Sequence, residues 1–78
     1  PALALDGGAD GLDFYRRTML ELPEHLNAGG SLLFETGDGE SEAVLAMLAE
    51  CFAHTEMRRD LGSLPRVVIG DGYERDAG

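Results

Sequence analysis

The sequence predicts a small α/β domain whose elements follow the order helix, strand, helix, strand, strand. Apolar residues recur at helical spacing from residue 12, and a second segment rich in helix-forming residues begins near residue 43. Two short apolar runs, at residues 31–36 and 66–70, are bounded by turn-forming residues and favour strands. With 78 residues, the chain has room for a single hydrophobic core.

The first helix follows a glycine-rich segment, residues 1–11, which predicts an open loop. Asp10 is the expected N-cap of the helix. Pro23 is expected to bend the helix near its end because proline has no backbone N–H. The glycine pair at 29–30 is expected to end the helix through a left-handed backbone conformation. Five apolar residues share one helical face: Leu12, Tyr15, Met19, Leu22 and Leu26.

The strand at 31–36 is expected to lie in the middle of a sheet. Its apolar run is too short for a helix and too apolar for a strand with one wet face, so burial on both sides is predicted. Residues 43–52 then predict the second helix. Its inward stripe consists of Val44, Met47, Leu48, Cys51 and Phe52.

The last two strands are predicted at 55–61 and 66–70, joined by a tight turn that favours an antiparallel hairpin. Strands joined through a helix are expected to run parallel, so the prediction is a three-stranded mixed sheet flanked by helices. Residues 71–78 have little to bury and are expected to form a frayed tail.

Strand 31–36 has the apolar composition of a strand in the interior of a sheet, but so short a chain has too few other strands to cover both of its edges. The apolar residues Leu32, Leu33 and Phe34 are therefore expected to form an edge through which the chain self-associates. A stand-alone α/β interaction module that dimerises through strand 31–36 is one interpretation of the whole chain.

Composition excludes several classes of function. The chain carries 15 acidic residues against 6 basic ones, a net charge of −9, which argues against binding nucleic-acid phosphates or an anionic membrane. The single Cys51 excludes an intramolecular disulfide and a multi-cysteine zinc site, and it fits a reducing cytoplasm. No apolar stretch approaches the roughly 18 residues that span a bilayer.

Three sets of polar residues invite functional interpretations that the sequence does not support. The run from Asp6 to Gly11 lacks the preceding strand and the lysine of a phosphate-binding loop. The alternating acids Asp38, Glu40 and Glu42 lack the twelve-residue pattern of a calcium-binding loop and are better explained as charges that suit a helix N-terminus. The two histidines, His25 and His54, lie far apart and have no Cys-His or Ser-His spacing of a catalytic pair. No catalytic or metal-binding residue is predicted.

A series of segments in fixed order carries a resemblance to a known family. They are Ala4 to Arg17, His25-Leu26, Gly29-Gly30, Leu32 to Glu35, Glu42-Ala43-Val44, Arg59-Asp60-Leu61 and Arg66 to Gly70. In this order they closely resemble the C-terminal part of the HemK-type protein-(glutamine-N5) methyltransferases, which methylate peptide chain release factors. The resemblance covers residues 1 to 70.

The resemblance implies a class I, Rossmann-like methyltransferase sheet whose last strand is antiparallel and lies beside the fifth. Strands 31–36, 55–61 and 66–70 look like the fifth, sixth and seventh strands of that sheet. The family's cofactor is S-adenosylmethionine (SAM), and the implied protein substrate is a class 1 release factor. A related enzyme that methylates a ribosomal protein is a close alternative.

The same resemblance implies that the chain holds no catalytic or cofactor-binding residue of its own. The family's glycine-rich SAM turn and its Asn-Pro-Pro-Tyr motif are missing, because the three prolines are isolated and the only asparagine is Asn27. The whole chain, 1–78, is therefore expected to be a fragment of a catalytic domain, inactive alone, with a loop at 1–11 and its secondary structure within 12–70. By resemblance, Leu5, Asp6, Gly7 and Gly8 would border the entry for the protein substrate.

Overall fold

The predicted order of elements is confirmed in the computed structural model, which describes residues 11–59, 62 and 65–75. The elements are helix α1 (Asp13–His25), strand β1 (Ser31–Glu35), helix α2 (Ser41–Ala49), strand β2 (Phe52–Arg59) and strand β3 (Pro65–Tyr73). In the part of the chain that is described, no helix is long and apolar enough to cross a membrane.

The three strands form one sheet in the order β1-β3-β2, with β3 antiparallel to both neighbours. Strands β1 and β2 therefore run in the same direction, as expected for strands joined through a helix. They do not pair with each other, because β3 lies between them. The expectation of a mixed sheet is wrong on this point, since both observed pairings are antiparallel.

The core lies between one face of this sheet and the two helices. Val68 in the central strand stands opposite Phe34 on one side and Met57 on the other, which places the three side chains on the same face. Helix α2 packs over β2 and β3. The buried apolar residues are Leu12, Tyr15, Leu22, Phe34, Val44, Leu48, Phe52, Val68 and Tyr73.

Helix α1 begins and ends close to the predicted residues. Its N-cap position is Leu12, whose backbone oxygen accepts the N–H groups of Tyr15 and Arg16. Asp10, the predicted N-cap, lies outside the described residues. Pro23 lies inside the last turn. The predicted left-handed exit is wrong at the helix end itself, because Leu26 at the C-cap is extended, with a φ of −127°. Gly29, with a φ of +83°, lies in the turn that follows, where the Gly30 N–H donates to the Asn27 oxygen at 2.9 Å.

Two boundaries differ from the predictions because a buried aromatic residue extends a strand. Helix α2 ends at Ala49, and Phe52, predicted on the helix stripe, is instead the first residue of β2. Strand β3 continues to Tyr73 rather than ending at residue 70. The rings of Phe52 and Tyr73 pack with centroids 5.3 Å apart, so the segment expected to fray at residue 71 is held in the sheet as far as Tyr73.

The prediction that β1 is buried on both faces is also wrong. Phe34 is buried, but Leu33 is 56% exposed. The reason is that both helices cover the face that carries Phe34, and no described element covers the face that carries Leu33. The exposed face of β1 thus carries a large apolar side chain without cover from the described residues.

Candidate functional site

The sequence-predicted site residues fall into two groups. Leu5, Asp6, Gly7 and Gly8, the predicted substrate-bordering loop, lie outside the described residues. The described chain begins at Gly11, which has a φ of +76° and lies against the carboxylate of Glu40. Gly11 is therefore adjacent to the loop that follows β1, at the carboxyl end of that strand.

The predicted self-association edge, Leu32, Leu33 and Phe34, is divided between the two faces of the sheet. Phe34 packs against the Tyr15 ring, with centroids 5.0 Å apart, and Leu32 is half-buried on the same face. Leu33 points to the opposite, exposed face. Within the described residues, β1 pairs only with β3, so what the strand offers a partner is its second backbone edge and the Leu33 side chain.

A polar cluster, here called the Glu40 cluster, connects the N-terminal turns of both helices to the loop after β1. The hydroxyl of Tyr15 donates to Glu40 Oε1 at 2.7 Å, and the same oxygen accepts the Gly37 N–H at 3.0 Å. Thr36 and Ser41, both buried, share a hydrogen bond of 2.5 Å between their hydroxyl oxygens. The cluster fixes the loop 36–40 to α1 and α2.

The electrostatics of the cluster favour a neutral tyrosine. Burial raises the pKa of Tyr15, and the hydrogen bond to the Glu40 carboxylate raises it further because the phenol must donate there. A hydrogen bond with the Gly37 backbone lowers the pKa of Tyr15, but the net effect is a pKa above the ordinary tyrosine value. Tyr15 therefore acts as a fixed hydrogen-bond donor at neutral pH and holds the Glu40 carboxylate in place.

Sequence reasoning missed this cluster. The spacing places Tyr15 on an apolar helix face and Glu40 among the charges of a helix N-terminus, and it does not predict their contact across 25 residues. The available signal was the hydroxyl group itself, because a tyrosine on a buried stripe needs a hydrogen-bond partner.

The remaining candidate residues lie apart from one another. His25 and His54 are exposed, on α1 and β2 respectively. Asp38 pairs with Arg66 at 3.3 Å, whereas Glu40 turns to Tyr15, so these two acids do not converge. Among the described residues there is no group of three side chains suited to holding a metal ion.

Cys51 lies at an open groove of about 790 Å³ between α1, the end of α2 and the end of β3. The groove has a largely apolar lining that includes Met19, Leu20, Pro23 and Met47. Burial raises the pKa of the half-buried Cys51 thiol, and the nearby carboxylates of Glu50 and Glu74 raise it further. The thiol is held in its protonated form, which disfavours a nucleophilic role.

Replacement of Tyr15 by phenylalanine tests whether the Glu40 cluster stabilises the fold. We expect Tyr15→Phe to lower the free energy of unfolding by about 1 to 3 kcal/mol, because the Glu40 carboxylate loses a donor in a partly buried place. Urea unfolding at neutral pH measures the change. Glu42→Ala, which removes an exposed carboxylate from the first turn of α2, is the control and should have a smaller effect.

The pH dependence separates the hydroxyl group from general packing in the same pair of proteins. Because the folded-state pKa of Tyr15 lies above the ordinary tyrosine value of 10.0, its contribution to stability is present below pH 10 and is lost as the pH rises through the folded-state pKa. The phenylalanine variant should lose less stability over that alkaline range than the wild type. Equal losses in both proteins would contradict the role given to Tyr15.

Comparison with known proteins confirms the resemblance predicted from the sequence. The chain is similar to curated proteins named release factor glutamine methyltransferase. It is 46% identical over 71 residues to the one from Geobacter sulfurreducens, which covers 90% of this chain and 25% of that protein. It is 44% identical over 73 residues to the one from Bacillus anthracis, covering 91% of this chain and 26% of that protein.

A third protein of the same name, from Gloeobacter violaceus, is 35% identical over 77 residues, which covers 96% of this chain and 27% of that protein. The chain thus spans about a quarter of the length of the curated relatives it matches. No family model matches the chain, and no solved structure matches it. The helix, strand, helix and antiparallel pair of strands are consistent with the C-terminal portion of a methyltransferase.

Proposed function

We propose that this chain forms the C-terminal edge of the catalytic domain of an enzyme that transfers a methyl group from SAM to the side-chain nitrogen of a glutamine in a peptide chain release factor. The observation that carries the proposal is the 46% identity over 90% of the chain to a protein named for this activity. The names of the similar proteins favour a release factor over a ribosomal protein as the substrate. Such an enzyme would act in the cytoplasm.

The arrangement of the strands supports the same proposal. The fold that the resemblance implies has its last strand antiparallel and beside the fifth strand. In the observed sheet, β3 is antiparallel and lies beside β1, which agrees with this arrangement. In this assignment, β1, β2 and β3 are the fifth, sixth and seventh strands of the complete sheet.

SAM is the cofactor of the complete enzyme in this proposal, and the described residues do not fit it. A carboxylate able to accept the ribose hydroxyls is the expected protein ligand for a nucleoside in such a sheet. The Glu40 carboxylate lies at the carboxyl end of β1, but its Oε1 accepts from Tyr15 and from the Gly37 N–H, and its Oε2 lies against Gly11, so both oxygens are directed at this chain. We therefore assign SAM binding to residues outside this sequence and derive no catalytic step from this chain.

The isolated chain is accordingly proposed to be inactive. An amide nitrogen is a weak nucleophile, and its attack on a methyl group depends on acceptors that orient it within reach of the donor. Neither the Asn-Pro-Pro-Tyr motif nor the glycine-rich SAM turn occurs in these 78 residues. The contribution of the chain would be to complete the sheet and to hold the protein substrate.

The predicted loop Leu5 to Gly8 is proposed to border the entry for that substrate. Its support is the position of Gly11 against Glu40, at the carboxyl end of β1, because ligands of open α/β sheets bind outside the carboxyl ends of the strands. Leu5 would offer an apolar contact, and the glycines would allow the substrate to approach the backbone closely.

A chimeric enzyme tests the proposed function. The matching quarter of the Geobacter sulfurreducens protein would be replaced by this chain, and methyl transfer from SAM to a purified release factor would be followed by mass spectrometry. We expect the chimera to methylate the release factor, and the 78-residue chain alone neither to methylate it nor to bind SAM in a calorimetric titration. A ribosomal protein would serve as the alternative substrate.

Two outcomes would contradict the proposal. One is a folded chimera that binds SAM but leaves the release factor unmodified. The other is saturable SAM binding by the chain alone, which would require a nucleoside site within these residues.

Alanine replacements at Leu5 and Asp6 in the chimera should weaken binding of the release factor without changing SAM binding, and unchanged binding of the release factor would remove the role of the loop.

A further inference from the structure

We propose that Glu40 is a positioning residue for the protein substrate, because its carboxylate holds the chain at Gly11, just after the substrate-bordering loop Leu5 to Gly8. This role rests on the proposed function, since the loop matters only if it borders the substrate entry. Glu40 does not touch the substrate. It sets the affinity for the release factor from outside the loop and takes no part in methyl transfer.

The Glu40 carboxylate lies between two glycine positions on different segments of the chain. A Cβ atom at Gly11 would lie 3.1 Å from Oε2, and a Cβ atom at Gly37 would lie 2.9 Å from Oε1. Gly11 directly precedes the N-cap of α1, and Gly37 lies in the loop after β1. Each carboxylate oxygen thus lies against a different segment, and glycine at both positions leaves room for this approach.

Four hydrogen bonds fix Glu40 itself. Its Oε1 accepts from the Tyr15 hydroxyl at 2.7 Å and from the Gly37 N–H at 3.0 Å. Its own N–H donates to the Gly37 oxygen at 3.1 Å, and its backbone oxygen accepts the Val44 N–H at 3.1 Å. Because two donors hold one carboxylate oxygen, the other oxygen, Oε2, has a set position beside Gly11 before any ligand arrives.

Tyr15 connects the same carboxylate to the sheet and to α1. Its buried ring packs edge-to-face on Phe34 of β1, with centroids 5.0 Å apart. Its backbone N–H donates to the oxygen of Leu12, the residue after Gly11, at 3.0 Å. The first turn of α1, the loop after β1 and the first turn of α2 therefore form one hydrogen-bonded unit, which the chain enters at Gly11.

Gly11 turns the chain at this entry point. Its φ of +76° lies in the left-handed region, which residues with a Cβ atom rarely adopt. The direction in which the preceding chain joins α1 depends on this angle and on the carboxylate that lies against it. Only Ala9 and Asp10 separate Gly11 from Gly8, so a displacement at Gly11 is passed directly to the substrate-bordering loop.

A residue that positions this loop affects affinity rather than chemistry. Contacts with the release factor away from the reacting glutamine are equal in the ground state and the transition state, so their loss raises KM and leaves kcat unchanged. A loss of folded enzyme has a different signature, because it lowers the apparent kcat and leaves KM unchanged. The two kinetic constants therefore separate positioning from a merely structural role.

Steady-state kinetics of the chimera, with the release factor varied at saturating SAM, test the role of Glu40. Glu40→Ala should raise KM for the release factor about tenfold, with kcat changed less than about twofold and the affinity for SAM unchanged. Glu40→Gln should keep KM close to the wild-type value, because the amide oxygen still accepts from Tyr15 and from the Gly37 N–H. Glu42→Ala removes an exposed carboxylate nearby and should leave both constants unchanged.

Gly11→Ala disturbs the same contact from the other side. The added Cβ atom would meet Oε2 at 3.1 Å and strain the left-handed backbone, so KM for the release factor should again rise at constant kcat. Gly29→Ala is the matched control, because Gly29 has a φ of +83° and no atom near its Cβ position. It adds the backbone strain at the amino end of β1, away from Glu40, and should leave KM unchanged.

A measurement on the 78-residue chain tests the contact without relying on activity. In NMR spectra, the Gly11 amide resonance should move in Glu40→Ala and stay in place in Glu42→Ala. An unmoved Gly11 resonance in Glu40→Ala, or a fall in kcat at constant KM in the chimera, would overturn the role of Glu40.

The kinetic results also distinguish this role from the proposed function. A wild-type chimera that methylates the release factor, with an unchanged KM in Glu40→Ala, refutes the positioning role and leaves the proposed function standing. A folded wild-type chimera that does not methylate the release factor contradicts the proposed function, and with it the role of Glu40 toward that substrate.

Discussion

Leu48→Ala is expected to lower the free energy of unfolding by about 2 to 5 kcal/mol, because truncating a buried leucine loses transfer free energy and leaves a cavity. Leu48 has no exposed surface and lies on α2, which packs over β2 and β3. Val44, one turn earlier on the same face, is equally buried. The cavity would thus open between the helix and the sheet, where the core is most completely enclosed.

The effect should be large relative to the whole stability of the domain. A chain of 78 residues is expected to have a free energy of unfolding of about 4 to 12 kcal/mol. Urea unfolding followed by circular dichroism measures the change, with Leu20→Ala as the matched control because Leu20 is 81% exposed on α1. A loss for Leu48→Ala no greater than that of the control would show that α2 does not pack on the sheet as described.

The position of Leu48 illustrates what the sequence predicts well. Val44 and Leu48 are four residues apart in a run of good helix formers, and this spacing alone places them on the inward face. Phe52 continues the same spacing, yet it belongs to β2, because the chain leaves the helix after Ala49. A helical stripe does not indicate where the helix ends when the next buried residue comes from a strand.

Features that depend on contacts distant in sequence could not be derived from spacing. Tyr15 and Glu40 are 25 residues apart, and no local pattern links them. The place of β3 between β1 and β2 is likewise a long-range feature. The connections between the strands predict their directions, but not which strands are neighbours. Only the family resemblance indicates that the last strand lies beside β1. Exposure of Leu33 follows from the absence of a covering element among the described residues, which no property of the strand itself encodes.

Gly70→Ala is the second substitution for which we expect a large loss of stability. Gly70 is buried in β3, and a Cβ atom there would lie 2.6 Å from Cγ of the Phe52 ring, closer than packed atoms approach. The clash forces the ring or the strand to move, at a cost of about 1 to 3 kcal/mol. Reduced freedom of the unfolded chain offsets at most about 1 kcal/mol of this. Urea unfolding should therefore show a lower midpoint.

A double-mutant cycle identifies the Phe52 ring as the cause. In a Phe52→Leu background the ring is absent, so adding Gly70→Ala should cost clearly less than it does in the wild type. Gly29→Ala is the control for backbone strain without a clash: Gly29 has a φ of +83° and no atom near its Cβ position, so its cost should be the same in both backgrounds. Equal costs of Gly70→Ala with and without the ring would mean that Phe52 does not pack over β3, and the burial that draws Phe52 into β2 would need another explanation.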